Sequence, residues 1–146
     1  MPETGLDNPA LHTDTMSMPV VGTLPPPHLP TPLRLAMLLR CLAIQGSWNY
    51  EILVGNGMGF CIEPALRQLP GGPDGPAYKD ALARQSVYFN AHPYLASLAV
   101  GALARVELEQ VPATRIERFR TALCGPLGSL GDRLVWAAWL LSLIHI

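Results

Sequence analysis

The sequence predicts an all-α chain, and three observations carry that prediction. First, 49% of its 146 residues are hydrophobic and 14% charged, against about 25% charged in an ordinary soluble domain, so the surface cannot be polar throughout. Second, the apolar residues gather in segments of helical length: Leu33 to Ile44, Pro93 to Ala104 and Leu134 to Ile146. Third, helix-start signals stand at Thr31-Pro32, at Pro93 and at Thr114-x-x-Glu117.

Residues 1 to 32 hold eight of the fifteen prolines. Such a segment has little to bury, so residues 1–30 are expected to form a disordered or polyproline arm. Residues 1 to 32 also lack Lys, Arg and a long apolar run, so no signal peptide is expected. Thr31 then reads as a cap and Pro32 as the first position of a helix reaching about Gln45, apolar on most faces and interrupted by Arg34 and Arg40. A helix of that kind belongs in a protein core or in lipid.

The stretch Gln45 to Glu51 brings together two aromatics, two amides and a carboxylate, and polar groups of this kind need partners or ligands when taken out of water. Gly55-x-Gly57-x-Gly59 follows. A dinucleotide loop needs Gly-x-Gly-x-x-Gly, so close packing of backbones is the better use of these glycines. A short helix is expected from about Phe60 to Gln68, then a turn over Pro70 to Pro76. Helix resumes near Tyr78 and is expected to run to Asn90.

Pro93 opens another helix reaching about Gln110, and Thr114-x-x-Glu117 reads as a capping box opening the next. Gly125 to Arg133, with three glycines and a proline, reads as an irregular turn whose Asp132 caps the final apolar helix. No single run of about 20 apolar residues reads directly as a membrane span.

The composition also excludes functions. A net charge of −1 and no basic cluster interleaved with aromatics give nucleic acid no track. Cys41, Cys61 and Cys124 are widely spaced and read as buried small hydrophobes, and no metal-ligand spacing joins them to the four histidines. No metal and no cofactor is expected. The serines lack a nucleophile-elbow context, so a hydrolase is not supported.

Three stretches carry a resemblance. Gln45-Gly46-Ser47-Trp48-Asn49-Tyr50-Glu51, Tyr88-Phe89-Asn90-Ala91-His92-Pro93-Tyr94-Leu95-Ala96 and Cys124-Gly125-Pro126-Leu127-Gly128-Ser129-Leu130-Gly131-Asp132, in that order, resemble the enzyme IID membrane component of the mannose/fructose/sorbose sugar phosphotransferase system. The resemblance covers residue 33 to about 139. It departs at Arg133, where the family's pattern has a small hydroxyl residue, and family members are much longer. The chain is therefore expected to be the N-terminal part of such a domain (31–146), truncated at its C-terminus.

The resemblance implies a membrane-embedded helical protein with short or re-entrant helices and Gly-rich turns, in the bacterial inner membrane. It implies a IIC partner with which a hexose is translocated, a phosphorylated IIB charged by IIA, and no catalytic residue on this chain. A rival reading is an apolar helical binding module without transport activity. For Trp48, Asn49, Tyr50 and Glu51 two readings stay open, contact with sugar or IIC and anchoring of a helix end at the membrane interface. Asn90 and His92 either meet substrate or serve as a helix cap and a carbonyl partner. Asp132 faces the same choice, with the cap preferred.

Overall fold

The computed structural model describes residues 28–145, so most of the expected Pro-rich arm lies outside the described residues. Six α-helices follow in order: α1 (Thr31–Cys41), α2 (Gly55–Leu66), α3 (Pro76–Ser86), α4 (Pro93–Leu108), α5 (Ala113–Asp132) and α6 (Leu140–Ile144). A 3₁₀ turn (Gly72–Asp74) precedes α3, and a π-helical stretch (Arg133–Trp139) joins α5 to α6. No strand occurs among the described residues; two isolated bridges, Asn49 with Leu53 and Leu53 with Phe89, tie the loops together.

α2 is the centre of the fold, packed against α1, α3 and α4. Its Met58, Cys61, Ile62, Ala65 and Leu66 are fully buried. They meet a core completed by Ile44, Phe89, Leu103 and Ile116. The glycine series lies inside this helix rather than ahead of it. Each glycine costs about 1 kcal/mol of helix propensity relative to Ala, and close approach offsets that cost: a methyl group at Gly57 would run into the backbone of Ile44. Gly55 and Gly59 are held as tightly against Val87 and Ser86.

Pro64 also lies within α2. A proline has no N–H for the carbonyl four residues back, and that carbonyl, on Phe60, instead accepts from Arg40 Nη1 at 2.9 Å. Arg40 also pairs with Glu63 at 2.7 Å and lies 4.7 Å from the Phe60 ring centroid. Glu63 further accepts from Arg67 and from the Tyr78 hydroxyl at 3.1 Å. One carboxylate thus ties together α1, α2 and α3.

A second polar knot joins α3, α4 and α5. Glu107, 3% exposed, accepts from Arg84 Nε at 3.0 Å and Nη2 at 2.7 Å and from Gln85 Nε2 at 2.6 Å. Arg120 of α5, 5% exposed, donates to the carbonyls of Val87 at 2.6 Å and Tyr88 at 2.7 Å. Its guanidinium lies 5.0 Å from the Phe89 ring centroid. It therefore serves the backbone left open where α3 ends, as a cation near a helix C-terminus favourably does.

Several local expectations are corrected. α1 and α5 start from Pro30 and Pro112, with no side-chain cap. The Pro30 carbonyl accepts from Leu33 and Arg34, and the Pro112 carbonyl from Arg115 and Ile116. Thr31 is thus no cap and the Thr114-x-x-Glu117 capping box does not form: an extended proline suits an N-cap, where its missing N–H is no loss. α1 ends at Cys41 rather than near Gln45. α3 ends at Ser86, short of Asn90, because Val87 turns extended and Phe89 exchanges backbone bonds with Ile52 and Val54.

Residues 125–133 are helical rather than an irregular turn, so Asp132 closes α5 and caps nothing. The run Ala113–Ile144 is consequently one helix of 32 residues, long and apolar enough to cross a membrane, with 12% of its most apolar stretch buried. At 1.5 Å per residue it spans about 48 Å, more than the ~30 Å hydrocarbon layer.

Candidate functional site

The two polar and aromatic patches of the sequence meet in space. The loop after α1 pairs with the link between α3 and α4: Phe89 N–H donates to Ile52 and Val54 N–H to Phe89, both at 3.2 Å. Leu53 sits between them with φ of 51°, a left-handed conformation that costs a non-glycine residue roughly 1–2 kcal/mol. Such strain persists where surrounding structure imposes it, here two bridges on one residue.

The third matching stretch closes the site. His92 N–H donates to the Leu127 carbonyl of α5 at 3.2 Å, and a side chain at Gly131 would run into His92 Cβ and Cγ. Gly128 sits against Asn90, whose Nδ2 lies 3.2 Å from where a Cβ would stand. The spacing Gly125, Gly128, Gly131 is one of i, i+3, i+6, a single face of a helix. Two of the three receive the 90–92 loop.

These elements line an open cavity of about 800 Å³ whose lining includes Gln45, Trp48, Asn90, His92, Tyr94, Asp132 and Trp139. That volume lies within the usual range for small-molecule sites, about 300–1,000 Å³. The walls combine three aromatic rings with two amides, an imidazole and a carboxylate. His92 is 8% exposed and its Nδ1 has no hydrogen-bond partner among the described residues. Its ring lies 5.2 Å from that of Tyr94. The π-helical stretch contributes Leu134, Val135 and Trp139, and π turns inside α-helices are frequent at functional sites.

The structure therefore divides the predicted residues. Trp48, Asn90, His92 and Asp132 line the cavity; Asn49, Tyr50 and Glu51 do not. Asn49 Oδ1 accepts from the backbone N–H of Glu51 and Ile52, each at 3.0 Å, which shapes the turn. Tyr50 is 90% exposed and packs edge-on to Trp48 at 4.8 Å, and Glu51 points outward. Asn90 is not the cap of α4; His92 holds the N-cap position, with no side-chain bond. Gln45, Tyr94 and Trp139 are cavity residues that the sequence reading did not single out as site residues, although Gln45 and Tyr94 lay inside the matching stretches.

Among the described residues, a helical fold with one long, largely uncovered apolar helix, carrying a π-helical stretch beside a cavity of aromatic and polar side chains, fits the class of helical membrane proteins. Residues 31–146 match the family described as the PTS system mannose/fructose/sorbose family IID component, and the chain belongs to that family. It is 31% identical over 106 residues to the mannose-specific EIID component of Escherichia coli K12, covering 68% of this chain and 37% of the relative. It is 33% identical over 109 residues to a sorbose-specific EIID component of Klebsiella pneumoniae, covering 69% and 38%.

A solved structure of the mannose transporter ManYZ in complex with microcin E492 contains a similar chain, with a TM-score of 0.69 and 29% identity over 75% of this chain and 41% of that one. The chain thus spans less than two fifths of the curated relatives named here. By family, IID components are non-catalytic subunits of sugar permeases.

Proposed function

We propose that the chain supplies the N-terminal part of a IID subunit that pairs with a IIC subunit in the bacterial inner membrane and forms part of the path of a hexose. Translocation is coupled to phosphorylation of the sugar by IIB, itself charged by IIA. The observation that carries the proposal is the convergence of all three family stretches on one cavity, walled by Trp48, Asn90, His92, Tyr94 and Asp132. Hexoses are held by amides and carboxylates on their hydroxyls and by an aromatic ring against the sugar face, and the cavity offers each of these. Trp48, Asn90, His92 and Asp132 are accordingly assigned to contact with sugar or with IIC. Asn49 is assigned to the turn that presents Trp48.

The test is sugar uptake by a chimera carrying residues 31–139 in place of the matching stretch of the mannose-specific relative. With the unsubstituted chimera transporting, Trp48→Ala and His92→Ala are expected to lower uptake at least tenfold, and Glu51→Ala to leave it within twofold. Normal uptake in both cavity variants would remove the site assignment.

A further inference from the structure

A second cavity, of about 420 Å³, lies between α1 and α4 and shares no lining residue with the site just described, and neither the proposed transport path nor the polar knots use it. Its floor is apolar, with Leu29, Met37, Val100, Ala104 and Leu108. Its nitrogen-bearing lining residues are His28, Arg34 and Arg105. They are not scattered. His28 and Arg34 lie at the start of α1 and Arg105 in the last turn of α4, while the opposite end is bounded by Cys41 and Ser97. One end of the groove is therefore cationic and the rest apolar.

From Arg34 to Cys41 is seven residues, about 10 Å of groove at 1.5 Å per residue, the length of roughly the first eight methylenes of an acyl chain. Arg34 is exposed and has no acidic partner among the described residues; the ion pairs found there are Arg40–Glu63, Arg67–Glu63, Arg84–Glu107 and Arg105–Glu109. Arg105 is shared with Glu109 at 2.8 Å through Nε, which leaves its terminal nitrogens for another anion. Leu38, at the groove edge, is 60% exposed.

We propose that this groove is a binding site for an anionic phospholipid, the acyl chain lying over Met37, Val100 and Ala104 and the headgroup phosphate held between Arg34 and Arg105. The charge at one end selects the occupant, because a neutral partner helix would leave Arg34 without a counter-charge and Arg105 with Glu109 alone, whereas basic residues beside a bilayer attract anionic headgroups. The proposal rests on the chain lying in a membrane, which fractionation tests separately from the lipid measurement.

The experiment is native mass spectrometry and thermal unfolding of the full chain in an uncharged detergent, titrated with phosphatidylglycerol or with phosphatidylcholine of the same acyl chains. Phosphatidylglycerol is expected to bind about tenfold more tightly than phosphatidylcholine, allowing for the Glu109 carboxylate beside Arg105. The Arg34→Gln/Arg105→Gln double variant is expected to lose that preference. Gly101→Leu, at a groove residue where an added Cβ meets nothing within 4 Å, is expected to weaken retention of both lipids while the protein stays folded.

Equal retention of the two lipids by the unsubstituted chain, or a preference that survives the double variant, overturns the proposal. A stabilisation by glycerol phosphate equal to that by phosphatidylglycerol overturns it in favour of a plain anion site. Phosphatidylglycerol binding that appears only after deletion of residues 1–27 gives the groove to that segment instead.

Discussion

Substitution of Gly131 tests the contact on which the candidate site depends. In an ordinary helix interior Gly→Ala stabilises by about 1 kcal/mol through backbone entropy. At Gly131 the added methyl overlaps His92 Cβ and Cγ. Cβ cannot swing away as the tip of a flexible side chain does, so either α5 or the 90–92 loop must move, and overpacking of this sort costs about 1–3 kcal/mol. Gly101 supplies the control, because a Cβ there meets nothing within 4 Å. The balance places Gly131→Ala about 1–3 kcal/mol below Gly101→Ala, or roughly 4–12 °C in midpoint at about 4 °C per kcal/mol for a chain of this size. Thermal unfolding in detergent by circular dichroism reads the difference. A midpoint within 2 °C of Gly101→Ala would refute the close approach of His92 to α5.

Three further outcomes follow from the polar knots and the core. Glu107→Ala, which strips a nearly buried carboxylate from Arg84 and Gln85, is expected to destabilise by about 3–5 kcal/mol, whereas Arg84→Met/Glu107→Leu loses far less, because the penalty is that of an unpaired buried charge; urea or thermal midpoints compare them. Glu63 is held below the usual carboxylate range: burial pushes its pKa up, but hydrogen bonds from Arg67, Arg40 and Tyr78 outweigh it. Its contribution is therefore present above the unfolded carboxylate pKa and lost as pH falls through the lower folded value, so Glu63→Gln should flatten the stability profile below about pH 4.5 and leave its shape unchanged near neutrality. Cys61, fully buried and with its thiol pushed up to about 12 chiefly by burial, should resist alkylation at pH 8 in the folded protein; labelling at the rate of an unfolded control would contradict its place in the core.

The sequence made the helical class, the three matching stretches and the packing role of the glycines legible, because apolar segments, proline entries and small residues leave local signatures. Pro93 opens α4 as its position implied. The misreadings have common causes. Thr31 and Thr114 looked like caps because hydroxyl caps are common, whereas Pro30 and Pro112, each set one or two residues ahead, start the turns with their own carbonyls. The helix expected to end at Asn90 ends at Ser86 because Phe89 pairs with Ile52 and Val54, a contact across more than thirty residues that propensity does not carry.

Gly125 to Arg133 differs for another reason: its glycine and proline content signals a turn, while the i, i+3, i+6 spacing of its glycines suits a helical face packed against the 90–92 loop. The membrane-length helix is illegible for the same reason, since from Leu134 alone the apolar C-terminal segment is too short to span, and only a helical 125–133 joins it to α5. Of the cavity lining, Trp48, Asn90, His92 and Asp132 are legible by residue type within the stretches. Asn49 and Glu51 share that chemistry but not the direction, because the turn that Asn49 closes sends Glu51 outward. Tyr94 and Trp139 needed the fold, which brings them to one wall.

The most direct test of the account is co-expression of the chain with a IIC subunit of the same family, followed by membrane fractionation and a detergent pull-down. The account predicts recovery in the membrane fraction, release only by detergent, and retention of IIC on the tagged chain. Recovery in the soluble fraction without detergent, with no IIC retained, would contradict it.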